Sequence, residues 1–273
     1  MLRHRLTDRE FKAIRHLLPK ERTGRRGRPW LSHRNVISGI LWIARTGSPW
    51  RDLPPEFGKW KSVYGRFRRW TAEGLWGRIY RCLLKKLDRA KKIDRSLWCV
   101  DGSVIRAHRC ASGMNSQSEE NDKLAALGRS RGGYATKIHV LCDGHGTLLG
   151  MTITGGQRNE STEFANLIDH CELSLHRVAA RPDAIAGDKG YSSRAIRDRL
   201  AGLQIESVIA ARSSETRDDN FNRDAYKRRN IVERLIGWLK ESRRVATRYD
   251  KLACTYLAFV LLTAMRRALK LIC

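Results

Sequence analysis

The sequence predicts an α/β protein, a mixed sheet with helices on its faces, preceded by a basic, all-helical N-terminal region. Three observations lead there. Hydrophobic periodicity changes near residue 94, from helical spacing to short apolar runs rich in β-branched residues. Beyond that point the elements read β-β-β-α-β-α-β-α-α, the order of a mixed sheet with flanking helices. Charge is also uneven: residues 1–100 hold 26 basic and 8 acidic residues, residues 101–273 hold 28 and 20, and the whole chain carries +26. A chain of 273 residues can bury two cores, so we expect one domain over 1–93 and a second over 94–273.

The N-terminal elements follow from caps and breakers. "LTDREFKAIRHLLP" opens a helix with a capping box, Thr7 to Glu10, and stops at Pro19. "KERTGRRGRPW" is a basic, glycine-rich loop whose Gly27-Arg28-Pro29 resembles arms that enter the minor groove of DNA. Ser32 caps a second helix, and "GSPWRDLPPEFG" breaks the chain before two more, "KWKSVYGRFRRWTA" and "LWGRIYRCLLKKLDRA". In the third helix Lys59, Lys61, Arg66, Arg68 and Arg69 alternate with Trp60, Tyr64, Phe67 and Trp70. That pattern fits an amphipathic helix with a basic solvent face, and equally the DNA-reading helix of a helix-turn-helix-like unit.

In the second region "SLWCVDGSVI" reads as a buried strand and "YATKIHVLCDGHGTLLGMTITGG" as two strands turning at Asp143–Gly144. The polar stretch between them is a loop. "ESTEFANLIDHCEL" is helical, "DAIAGDKGY" a strand with its following loop, "SRAIRDRLA" a helix and "IESVIAA" a strand. A helix over 226–240 follows, and "LACTYLAFVLLTAM", too short to span a bilayer, predicts a buried helix that closes the fold.

Charge and cysteines narrow the class. So large a basic excess favours a polyanionic partner, nucleic acid above all. No lipidation motif or amphipathic anchor at the N-terminus points to a membrane instead. Seven cysteines without C-x-x-C or zinc spacing read as small apolar residues of a reducing cytosol. "MLRHRLTDRE" lacks a signal-peptide core. The expectation is a cytoplasmic, nucleoid-associated protein.

Enzymes acting on phosphodiesters commonly hold two Mg²⁺ with a few carboxylates, so acids fixed at strand centres or ends matter most. Asp101 interrupts an apolar run, a costly place for a charge unless it is paired or metal-bound, although Gly102 also permits an Asp-Gly turn. Asp188 ends the strand "AIAGD", where α/β sheets place their sites. Asp143 belongs to a hairpin turn and is set aside. In the helix, at about 100° per residue, Tyr226, Arg229, Glu233 and Lys240 share an arc of roughly 60°. They border an apolar stripe of Ala225, Ile231, Val232, Leu235, Ile236, Trp238 and Leu239. On the helix alone this is as well explained by a solvated face with an Arg229–Glu233 pair.

"VDGSVIRAH", "GDKGYSS" and Tyr226-x2-Arg229-x3-Glu233-x6-Lys240 resemble the DDE transposases of bacterial insertion sequences. "GILWIARTGSPWRDLPPEFGKWKSVYGRFRRW" is similar to the leader domain of the insertion-sequence-five family, and the likeness extends over nearly the whole chain. The resemblance implies an RNase H-like catalytic domain with Asp101, Asp188 and Glu233 as metal-binding triad, taking two Mg²⁺ or Mn²⁺. It implies that Tyr226, Arg229 and Lys240 contact DNA phosphates near the transposon end; Lys61, Arg66, Arg68 and Arg69 are the DNA contacts expected if the basic third helix reads DNA. It also implies binding to terminal inverted repeats, end cleavage, joining of the 3′-OH to target DNA, and a homodimer on DNA. Relatives with a large β insert before the glutamate helix differ from this chain, in which none is visible. The competing readings are an RNase H-like nuclease without strand transfer and an inert DNA-binding repressor.

Overall fold

The computed structural model describes residues 4–21, 30–112, 125–130, 132–171, 181–215 and 221–273. The Gly27-Arg28-Pro29 arm and most of the loop before the second strand lie outside the described residues.

Four α-helices open the chain: α1 (Asp8–Ile14), α2 (His33–Thr46), α3 (Trp60–Ala72) and α4 (Leu75–Arg89). The Thr7–Glu10 capping box is present in both directions, with the Thr7 N–H donating to Glu10 at 2.7 Å. Ser32 caps α2, which stops at Gly47, where φ of +70° takes the left-handed cap geometry that glycine tolerates. Between α2 and α3 run two short 3₁₀ turns, Trp50–Asp52 and Pro55–Phe57, while only Glu73 and Gly74 separate α3 from α4.

The sheet begins with β1 (Trp98–Ala107), followed by β2 (Gly128–Ser130), β3 (Gly133–Asp143) and β4 (Leu148–Gly155). β3 pairs antiparallel with β1 on one side, Asp101 opposite Val140. On its other side β3 pairs antiparallel with β4 and with the short β2. Helix α5 (Glu160–Asp169) leads to β5 (Ala184–Gly187), which runs parallel to β1, and α6 (Arg194–Gly202) leads to β6 (Glu206–Ile209), parallel to β5. Three antiparallel strands, β4-β3-β1, continued by two parallel ones, β5-β6, form the mixed, helix-flanked sheet expected from the sequence.

The expected single helix over 226–240 is divided. α7 (Arg223–Arg228) and α8 (Asn230–Lys240) meet at Arg229, whose φ and ψ of −52° and −27° stay helical. Hydrogen bonds from Arg229 N–H to the Tyr226 carbonyl and from Val232 N–H to the Arg229 carbonyl span three residues. The chain is therefore overwound at that turn, as in a 3₁₀ helix. Val232, Leu235, Ile236 and Leu239 are buried as the stripe requires. After α9 (Arg243–Ala246) and β7 (Thr247–Arg248), which adds to β1, α10 (Ala253–Ile272) ends the chain.

α10 packs on α4, α2 and α3, burying Tyr256, Phe259, Leu262, Met265 and Leu269. Phe259 meets Phe67 of α3 with ring centroids 4.7 Å apart. The apolar core is thus continuous across residues 93 and 94: α10 fills the N-terminal helical layer. Among the described residues no helix is long and apolar enough to cross a membrane.

Candidate metal centre

β1 enters the core through Trp98, Cys99 and Val100, all fully buried, and those side chains fix the strand just before Asp101. The Asp101 carboxylate accepts the Gly102 N–H at 2.9 Å. Cys99 lies level with Ala186 in the parallel β1–β5 pair. Two residues further along, Asp101 within β1 and Asp188 just past the end of β5 stand side by side. Asp188 caps the 3₁₀ turn after β5, its carboxylate accepting the Gly190 N–H at 2.9 Å.

A third carboxylate joins them from a residue the sequence reading passed over. Glu160, first residue of α5, places a ligand oxygen so that it, Asp101 and Asp188 all lie within 4.8 Å of one another. Lys137 of β3 pairs with Glu160 at 3.3 Å. Burial and the neighbouring charges together act on Asp101. Burial, opposed by the Gly102 N–H and Arg229 and reinforced by Asp188 and Glu160, pushes the Asp101 carboxyl up to about 6.

Helix α8 covers the same face of β1. Asp101 and Ser103, two apart on a strand, point to one side; Arg229 faces Asp101 at 3.9 Å, and Lys240 donates to the Ser103 hydroxyl at 2.9 Å. Glu233 stands outside the cluster of three acids. It is half exposed and accepts a hydrogen bond from Arg229 at 2.5 Å, so Arg229 links it to Asp101. Burial works against the Arg229 charge, but Asp101 and Glu233 overcome it and leave the guanidinium pKa raised. Tyr226 is half-buried against Phe221, with Arg229 over its ring at 5.8 Å.

On α3, Lys61, Arg68 and Arg69 face solvent. Arg66 is engaged from within: it donates to the Leu31 carbonyl at 2.7 Å, contacts the His33 ring at 3.0 Å and stacks over Trp30 at 4.5 Å. Asp143 is fully buried and accepts the backbone N–H groups of Asp94, His145 and Thr147, as a turn-forming aspartate does.

Residues 6–80 match the family described as a putative transposase of the IS4/5 family, and residues 92–266 match the transposase DDE domain. The chain belongs to the DDE transposase family. It is similar to the putative transposase for insertion sequence element IS402 of Burkholderia cepacia, 34% identical over 129 residues, 46% of this chain and 58% of that one. A 16.2 kDa uncharacterized protein of the same element is 41% identical over 107 residues, covering 37% of this chain and 73% of its own. The uncharacterized protein y4sN of Sinorhizobium fredii is 32% identical over 108 residues, 40% of this chain and 81% of its own. Among solved structures, a pre-cleavage Mos1 transpososome covers 91% of this chain and 81% of its own at 14% identity, with a TM-score of 0.28.

A DDE transposase uses divalent metal ions. The donor set here suits one: three clustered carboxylates are hard oxygen ligands, and a bound cation would offset both the burial of Asp101 and its repulsion by Asp188 and Glu160.

Proposed function

We propose that this transposase binds the terminal inverted repeats of its element, hydrolyses the phosphodiester at each end and directs the freed 3′-OH at target DNA. The observation that carries the reading is the pairing of Asp101 with Asp188 at the level where β1 and β5 part, beneath a helix bearing Arg229, Glu233 and Lys240. Asp101, Asp188 and Glu233 would hold two Mg²⁺, with Mn²⁺ as substitute. Ions so held lower the pKa of the attacking water or hydroxyl and stabilise the leaving oxygen.

The chain's own residues have four tasks. Asp101 and Asp188, each fixed by a backbone N–H, hold their carboxylates in place before substrate arrives. Arg229 grips a phosphate flanking the cut site through its planar fork, and Lys240 offers a point charge further along. As Arg229 turns to a phosphate it releases Glu233, whose carboxylate then completes the centre. Tyr226 supports the Arg229 guanidinium from below, at 5.8 Å.

Residues 1–93 would form the end-binding domain, with Lys61, Arg68 and Arg69 facing the duplex and Arg66 holding the Trp30–His33 segment against α3. Two ends must be processed together, so the working assembly is a homodimer on DNA. Incubation with the element's own ends and Mg²⁺ tests the reading. Glu233→Gln should abolish cleavage while end binding survives, and a pre-cut end should be joined to a target plasmid. Cleavage by the variant at the wild-type rate removes Glu233 from the site; cleavage without joining makes the protein a nuclease.

A further inference from the structure

We infer that Glu160 is a direct ligand of the divalent cation held by Asp101 and Asp188, a further carboxylate of the centre supplied by the first turn of α5. The inference rests on the metal-centre reading above and adds a residue to it.

The space around Glu160 is built for its carboxylate. A Cβ on Gly102 would lie 2.7 Å from Glu160 Oε1, and a Cβ on Gly190 would lie 2.9 Å from both Glu160 Oε2 and Asp188 Oδ1. Both distances are too short for real atoms. Neither glycine is required by its backbone: the described glycines with left-handed φ are Gly47, Gly58, Gly74, Gly133 and Gly146. Each of the two spacing glycines adjoins a site aspartate, in Asp101-Gly102 and in Asp188-Lys189-Gly190. A glycine inside β1 and a glycine in the turn after β5 thus each leave room beside the Glu160 carboxylate, which has an oxygen within 4.8 Å of ligand oxygens of Asp101 and Asp188.

Tyr191 supplies an independent sign of a missing ligand. Its side chain is fully buried and its hydroxyl has no hydrogen-bond partner among the described residues. Burial first, then the charges of Glu160, Asp101 and Asp188, push its pKa up, so the phenol sits in the field of these three acids and stays protonated. Phe164 of α5 holds the ring edge-on at 6.2 Å. A buried hydroxyl without a partner forfeits the hydrogen bond it would make in water. A water in the coordination shell of a cation would donate a hydrogen bond to the phenol oxygen.

Glu160 also has local explanations: an acid in a helix first turn is favoured by the dipole, and Lys137 pairs with it at 3.3 Å. Neither accounts for the room that Gly102 leaves at Glu160 Oε1, for the approach of Glu160 Oε2 and Asp188 Oδ1 to Gly190, or for the unpartnered phenol of Tyr191.

Mn²⁺ binding to the full-length, DNA-free protein, read by electron paramagnetic resonance of the free ion, separates the possibilities. Glu160→Gln and Asp101→Asn should each weaken Mn²⁺ at least tenfold. Gly102→Ala should weaken it as well, although it removes no ligand atom. Lys137→Met, which breaks the ion pair, should bind Mn²⁺ as tightly as the wild type or more so. Wild-type affinity in Glu160→Gln with loss in Asp101→Asn overturns the role of Glu160 and leaves the two aspartates standing. Wild-type affinity in both removes the metal centre itself. Loss of affinity in Lys137→Met equal to that in Glu160→Gln also overturns the inference, because disturbing the pair alone would then suffice.

Discussion

Asp101→Asn should stabilise the ion-free protein at neutral pH. The Asp101 carboxyl is displaced from 3.8 to about 6, worth about 3 kcal/mol at about 1.4 kcal/mol per unit. The direction follows from proton binding. Between those two values the folded protein keeps a proton that the unfolded chain has released. The contribution of Asp101 to stability is therefore full below the unfolded pKa and lost as pH rises through the folded one. At pH 7.5 the wild type carries the cost of an ionised, buried carboxylate among like charges, and asparagine does not. With allowance for the lost Arg229 partner, the variant should gain about 1–3 kcal/mol, or roughly 2–4 °C in Tm per kcal/mol. The assay is urea or thermal unfolding in EDTA at pH 7.5 and pH 4.5, followed by circular dichroism. The gap should narrow at the lower pH, and saturating Mn²⁺ should raise the wild type alone. A variant no more stable than wild type at pH 7.5, or a gap independent of pH, refutes the electrostatic argument.

Arg229→Ala and Lys240→Ala should each weaken end-complex formation and reduce the salt slope of binding by about 1, measured by titrating end DNA from low to high salt; an unchanged slope rules out the phosphate contact. On α3, Arg66→Ala should lower Tm because it frees the Leu31 carbonyl and unstacks Trp30, whereas Lys61→Ala, Arg68→Ala and Arg69→Ala should leave Tm within about 1 °C and lower DNA affinity. Arg248 is fully buried and donates to the carbonyls of Ala126, Asp250 and Lys251. Arg248→Met leaves those acceptors unpaired and should cost about 3 kcal/mol in urea unfolding.

The two strand acids were legible because a charge inside or at the end of an apolar run has few cheap explanations. The stripe of α8 was legible for a similar reason: its period is a property of the helix alone, and Val232, Leu235, Ile236 and Leu239 are buried as it requires. Glu160 was not. An acid just after Asn159, a good N-cap, looks like ordinary first-turn chemistry, and only the positions of Gly102 and Gly190 reveal what its oxygens occupy. The break at Arg229 was also hidden. Helical angles persist through it, and the overwound turn shows only in hydrogen bonds three residues long. Arg66 read as one more basic residue of α3, since its engagement with Leu31 and His33 comes from a segment distant in sequence. The placement of α10 was half visible: its apolarity demands burial, but nothing local says that it inserts among the N-terminal helices.

Replacing Mg²⁺ by Fe²⁺ in the protein–end-DNA complex, then adding ascorbate and peroxide, cuts the polypeptide wherever the ion is bound. Fragments ending near residues 101, 188 and 233 in one complex are the result expected if these acids share cations once DNA is present. Cuts near 101 and 188 with none near 233, in a complex competent for cleavage, would contradict the account.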